Sequence, residues 1–177
     1  NDEKTGVYRI GEEGNYIDVL LPFMDLQGEF VKSFEMVYPF DDENVLFGTE
    51  NGFVHYNPLF KKDYKYEFTT YINSMLTFNP DSVFVLNSNI DNGKISLEYA
   101  NNNVEFNFSA NDFEHTNKIE YSTFLDGYDK QWSDWQVRNT KEYTNLDEGK
   151  YIFKVKAKNN NLSKTKTVEL LFYVKPP

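Results

Sequence analysis

The stretch Leu146-Asp147-Glu148-Gly149-Lys150-Tyr151-Ile152-Phe153-Lys154-Val155-Lys156-Ala157-Lys158 sets the architecture. Tyr151, Phe153, Val155 and Ala157 alternate with Lys150, Ile152, Lys154, Lys156 and Lys158. Successive side chains of a strand point to opposite faces, so this period of two predicts a strand with one buried side. The lysine row is then the wet face of that strand. The same alternation recurs outward from this stretch. Val104, Phe106, Phe108 and Ala110 share a face across 104–110, and Ile119, Tyr121, Thr123 and Leu125 do so across 119–125, with Phe124 off pattern. Val168, Leu170, Phe172 and Val174 do so across 168–174. Strands of this kind bury one face against a second sheet. Further strand-like runs near 67–78, 82–86 and 95–99 bring the count to the seven or so of a β-sandwich.

The turn that precedes the long strand points the same way. Leu146 to Tyr151 resembles the tyrosine corner of immunoglobulin-like and fibronectin type III folds, in which the tyrosine hydroxyl bonds back to the chain just upstream. Gly149 allows the tight turn. The reading for Tyr151 is structural, not catalytic.

Residues 1–60 read differently. Short strands are expected at Val7–Ile10, Tyr16–Leu21, Lys32–Tyr38, Asn44–Gly48 and Phe53–Tyr56, separated by polar turns. Asn51-Gly52 is a hairpin signal, because both residues tolerate the positive φ of a type I′ turn. Four or five short strands in such a length suit one propeller blade. Residues 57–66 read as a linker, since Pro58 ends a strand and charges keep the segment wet. The expected domains are therefore 1–60, propeller-blade-like and antiparallel, and 61–177, an immunoglobulin/fibronectin III-like β-sandwich. The fold class is all-β, and no segment reads as a helix.

Composition excludes several functions. Aromatic residues make up 18% of the chain, too many for a disordered segment. The net charge of −10 disfavours direct nucleic-acid binding, because an acidic surface repels phosphates. With no cysteine there is no disulfide framework, no cysteine zinc site and no thiol nucleophile. No apolar run reaches the ~20 residues of a membrane helix. A start at Asn1 and an end at Pro176-Pro177 read as a piece of a longer polypeptide.

No catalytic, cofactor-binding or metal-binding constellation emerges, so the expectation is a non-catalytic chain without a cofactor. His55 and His115 sit at no metal or triad spacing, and both read as structural. Asp41-Asp42-Glu43 lacks the spacing of a calcium loop and reads as a solvated hairpin turn. Trp132 and Trp135, in Trp-Ser-Asp-Trp, are expected respectively to pack at the end of the sandwich and to serve packing, an interface or a ligand.

Several separated motifs in the second part carry a family resemblance. Tyr121-Ser122-Thr123-Phe124-Leu125-Asp126-Gly127-Tyr128-Asp129-Lys130-Gln131-Trp132 is followed by Arg138, then Glu142-Tyr143-Thr144-Asn145-Leu146, then Gly149 to Asn159 with Tyr151 and Phe153. Upstream, Asn103 to Ala110 and Asp112-Phe113 fit the family's first core strand. In that order these residues resemble the triple-tyrosine (Y_Y_Y) domain, over roughly 66–177. Val45 to Pro58 looks like the closing blade of a two-component-regulator propeller.

The resemblance implies the periplasmic sensor region of a Bacteroidetes hybrid two-component histidine kinase, anchored in the inner membrane. It implies a relay from a glycan-sensing propeller to a transmembrane helix, acting as a homodimer. The oligosaccharide would bind the parent propeller, of which only one blade is present here, and no ligand-binding residue is assigned to this chain. Ile152, Leu171, Tyr173 and Phe124, taken as exposed, are the expected dimer contacts. The alternative is a carbohydrate-binding or adhesion module of a secreted glycan-degrading protein, with Trp135 as its platform.

Overall fold

The computed structural model describes residues 5–31, 36–62, 66–79, 82–87, 95–113, 119–159 and 163–177, with 79 and 82–87 described by their backbone alone. The chain forms two compact units, Asn1–Tyr66 and Glu67–Pro177. Of the sequence expectations, His115, Lys32 to Glu35 and residues 63–65 of the linker lie outside the described residues.

The first unit carries β1 (Val7–Ile10), β2 (Tyr16–Val19), β3 (Met36–Pro39), β4 (Val45–Thr49) and β5 (Gly52–Tyr56). These strands form two sheets, an antiparallel β1-β2 pair and an antiparallel β3-β4-β5 sheet. A 3-10 helix, Leu21–Leu26, follows β2, where the sequence suggested that the strand ran on to Leu21. Pro22 lies in its first turn, where the proline ring suits the helical φ and its missing N–H is no loss. The helix contributes Phe23 and Leu26, which bury with Phe47 in a small core.

The hairpin between β4 and β5 exists, but its turn differs from the expected one. Thr49 pairs with Gly52, so the two loop residues are Glu50 and Asn51. Gly52 takes the left-handed φ of +129° as the first residue of β5, and Asn51 has no positive φ. The glycine is needed one position after the loop, not within it.

The second unit is the sandwich. Its strands are β6 (Thr70–Asn79), β7 (Ser82–Asn87), β8 (Ile95–Leu97), β9 (Asn103–Ala110), β10 (Glu120–Asp126), β11 (Thr140–Tyr143), β12 (Gly149–Lys158) and β13 (Val168–Val174). One sheet has the order β10-β12-β13-β8 and the other β11-β9-β6-β7. All pairings are antiparallel except β13 with β8, where Phe172 faces Ile95. A bulge between Ile72 and Ser74 shifts the β6–β9 register by one residue. β11 was not read from the sequence, because its Thr-Lys-Glu-Tyr has a single large apolar residue to mark a face.

The alternating faces pack as their period dictates. Val104, Phe106 and Phe108 of β9 are buried, as are Tyr151, Phe153, Val155 and Ala157 of β12 and Phe172 and Val174 of β13. The two sheets meet where the Phe106 and Phe153 rings stack, 3.9 Å between centroids with planes 3° apart. Phe172 and Tyr143 lean on Phe106 at 5.8 and 6.3 Å, and Phe108 lies 6.0 Å from Phe153.

Truncating either ring removes apolar burial from both sheets and leaves a cavity. Phe106→Ala or Phe153→Ala is expected to lower stability by about 3–5 kcal/mol, measured by denaturant unfolding. An unchanged midpoint for either variant would mean that the strand phases are misassigned.

Candidate functional site

Two constellations of the sandwich unit gather the residues singled out from sequence. The first lies around the turn after β10. Gly127 takes a φ of +96°, and a Cβ there would lie 3.0 Å from the Lys150 carbonyl oxygen and 3.1 Å from the Tyr151 ring. Only glycine fits both the conformation and the space. The turn closes as the Tyr128 and Asp129 amides donate to the Leu125 carbonyl, at 3.1 and 2.8 Å. The Asp129 carboxylate then accepts from the Leu125 amide (2.8 Å) and the Tyr143 hydroxyl (2.7 Å). Tyr128 packs edge-on against Tyr143 at 5.5 Å.

Tyr151 behaves as a corner residue: its hydroxyl donates to the Asp147 carbonyl at 3.0 Å. Asn145 adopts a φ of 54°, a left-handed conformation that asparagine tolerates better than most residues. The Asn145 amide donates to the Asn103 side chain, and the Asn102 side chain donates to the Leu146 carbonyl, tying this loop to the start of β9. Leu146 and Tyr121 are buried. Arg138 is exposed and donates from Nε to Thr140, so it stands apart from the cluster.

This cluster is structural in character. The part-buried polar groups that hold it together, Asp129, Tyr143, Tyr151 and Asn102, each meet a backbone or side-chain partner. Burial, and then the carboxylate of Asp129, push the Tyr143 phenol well above its ordinary value. Burial likewise raises Tyr121 and Tyr151.

The second constellation lies on the outer face of the β10-β12-β13 sheet, and only parts of it were foreseen. Residues 133–136 add to the free edge of β10. The Ser133 amide donates to the Thr123 carbonyl at 2.9 Å, and Tyr121 and Gln136 exchange two hydrogen bonds at 2.7 and 3.0 Å. From Ser133 to Gln136 the segment advances three positions, while β10 advances two from Thr123 to Tyr121. This bulge-like mismatch breaks the alternation. Trp132 and Trp135 therefore both reach the lysine row of β12.

Trp132 stacks on Phe124 at 5.6 Å and carries the Lys156 ammonium 4.0 Å from its ring centroid. It thus packs on the outer face of the sheet, not at the end of the sandwich. Trp135 is ringed by Lys158, Lys156 and Lys164 at 4.8, 5.6 and 5.9 Å. The lysine row is accordingly half-covered, where the sequence suggested a plain wet face. Lys154 pairs with Asp126 and Glu169, and Lys158 with Glu120. Phe124, expected as an exposed contact, is half-buried under Trp132 and Lys154. Ile152, Leu171 and Tyr173, expected as exposed, are also half-buried.

In the first unit, the acidic run serves its turn. Asp41 accepts from the Glu43 amide (2.9 Å) and the Asn44 side chain (2.7 Å). These bonds hold its carboxyl below the usual range. His55 Nε2 lies 2.8 Å from Asn44 Oδ1. Among the described residues, no group of three His, Cys, Asp or Glu side chains is placed to hold a metal.

Comparison with known proteins agrees with this geometry. Residues 112–175 match the Y_Y_Y domain. The match covers β10 to β13, whereas the folded sandwich also needs β6 to β9. The chain is similar in fold to the extracellular domain of a hybrid two-component system from B. thetaiotaomicron, with 22% identity and a TM-score of 0.67 over 98% of this chain and 24% of that one. A second extracellular domain from B. thetaiotaomicron aligns at 19% identity and a TM-score of 0.53, over 97% of this chain and 23% of that one. The chain thus spans about a quarter of the solved structures it matches. No curated protein sequence matches it.

The buried phenol gives a pH test. A folded-state value above the ordinary ~10 stabilises the fold below pH 10, and that contribution is lost as pH rises past it. Tyr143→Phe is expected to cost about 1 kcal/mol near pH 8, and the gap to wild type should narrow by pH 11. Urea titrations at the two pH values measure this; a gap that widens with pH would contradict the assignment.

Proposed function

We propose that this chain is a non-catalytic, extracytoplasmic part of a two-component receptor, in which the sandwich relays a signal from an upstream sensing region toward the membrane. The observation that carries this reading is the pairing of a Y_Y_Y match with a structural alignment that covers 98% of this chain on one extracellular domain of a hybrid two-component system. In the finer form of the proposal, the parent is a hybrid histidine kinase in the bacterial inner membrane. Its periplasmic propeller carries the oligosaccharide site, and residues 1–60 are the closing blade.

The surface of the first unit is consistent with such a blade. β3 to β5 are apolar on both faces. Val37, Phe47 and Val54 pair across one face, while Met36, Tyr38 and Phe53 lie on the other and are exposed, Phe53 by 70%. Tyr8 and Tyr16 of the first hairpin are also exposed. Burying such side chains contributes roughly 1.5–3 kcal/mol each, which favours coverage by further chain.

The relay itself rests on β13. Phe172 and Val174 are buried, and the strand lies between β12 and β8. Past its end, the Lys175 amide donates to the Leu97 carbonyl, and the Lys175 ammonium pairs with Glu98. A strand held in this way moves with its sheet. Pro176-Pro177 then continues as a stiff, ladder-free connector.

A receptor that signals this way acts as a dimer, and Ile152, Leu171 and Tyr173 are the contact residues proposed. A symmetric contact would bring the same patch of two copies together. Sedimentation equilibrium is expected to show reversible dimers with a Kd of about 0.1–1 mM, weakened at least tenfold by Leu171→Lys. A chain that stays monomeric in that range, and also when tethered by its C-terminus to a bilayer, would overturn the dimeric relay.

A further inference from the structure

We infer that Trp135, Lys156, Lys158 and Lys164 form a binding site for an acidic oligosaccharide, one carrying uronate or sulfate groups. The site belongs to the sandwich and is separate from any sugar site on an upstream propeller.

Three ammonium groups converge within 5.9 Å of one indole centroid, in a chain whose net charge is −10. Lys156 and Lys158 stand two residues apart on the same face of β12, and Lys164 is brought beside them by its bridge to Lys158. Lys158 is neutralised by Glu120 at 2.8 Å. Among the described residues, Lys156 and Lys164 have no carboxylate within ion-pair distance, whereas Lys154 on the same row has two. The fold thus holds like charges together, and among the described residues two of them lack a carboxylate partner. Their contact with the indole offsets only part of the repulsion.

The chemistry of the ligand follows from this arrangement. A shared anion relieves the lysine repulsion and forms charge-assisted hydrogen bonds. The half-buried indole of Trp135 offers apolar ring surface against which the C–H face of a pyranose can pack. A neutral sugar would leave the ammonium groups unsatisfied. A long, densely charged polyanion would meet the acidic remainder of the molecule. A short acidic saccharide satisfies both the patch and its surroundings. The proposed dimer residue Ile152 lies six residues along β12 from Lys158, roughly 20 Å away, so the two surfaces are separable.

The test is a titration of the full chain with tetragalacturonate, a sulfated chondroitin disaccharide, neutral cellotetraose and AMP, followed by tryptophan fluorescence and calorimetry. At least one of the two acidic saccharides is expected to bind, and which one binds identifies the anion. Binding should weaken with added salt and fall roughly fivefold in Lys164→Gln, an exposed position where folding is not at risk. Lys156→Gln/Lys164→Gln should lose most of it, and Trp135→Phe should weaken it with the circular-dichroism spectrum unchanged. Lys150→Gln and Leu171→Lys should bind as wild type. The inference is overturned if neither acidic saccharide binds at about 10 mM. It is equally overturned if cellotetraose or AMP binds as tightly, or if Lys164→Gln binds unchanged.

Discussion

The stack of Phe106 on Phe153 is the contact on which the sandwich depends. It joins the middle of β9 to the middle of β12, and each strand is the hub of its own sheet. β9 is bonded to β11 and β6, and β12 to β10 and β13. Around the stack, Phe108, Tyr143 and Phe172 pack at tilted or edge-on angles. Aromatic pairs of this kind add about 0.5–1.5 kcal/mol beyond the area they bury. The polar cluster at the Asp129 turn is anchored to this core through Tyr143, whose ring touches both stacked residues while its hydroxyl reaches the carboxylate.

Much of this was legible in the sequence because alternation is a local signal. Phe106, Phe153 and Phe172 were placed on buried faces by their neighbours two residues away. Tyr151 was readable as a corner residue from Gly149 and the strand that follows. Elements that depend on distant partners were not legible. β11 has one large apolar residue and exists because β9 accepts it as an edge. Asn102 and Asn103 stand in a run of asparagines with no pattern to mark their role, yet their side chains fasten the loop at Asn145 and Leu146. The buried bond from Asn159 to Asp112 spans 47 residues, and no local pattern announces it.

The outer face of the β10-β12-β13 sheet was misread for a related reason. Strict alternation would send residues three apart, such as Trp132 and Trp135, to opposite sides. The extra residue taken up between Ser133 and Gln136 places both over the lysine row. A row that should be wet becomes an aromatic and cationic surface, and a phenylalanine that should be exposed is covered. The same irregular segment also hydrogen-bonds the free edge of β10, which otherwise invites unwanted strand pairing. One local departure from regular β geometry thus accounts for edge protection, for the covering of Phe124 and for the charged patch around Trp135.

Native-state hydrogen exchange tests the central claim most directly. If the stacked rings make the two sheets one cooperative body, the amides of Phe106, Phe108, Phe153 and Val155 exchange only through global unfolding, with one common free energy equal to that from denaturant titration. If β9 and β12 instead exchange with different free energies, or either opens well below the global value, the sheets are not held together by this contact and the account fails.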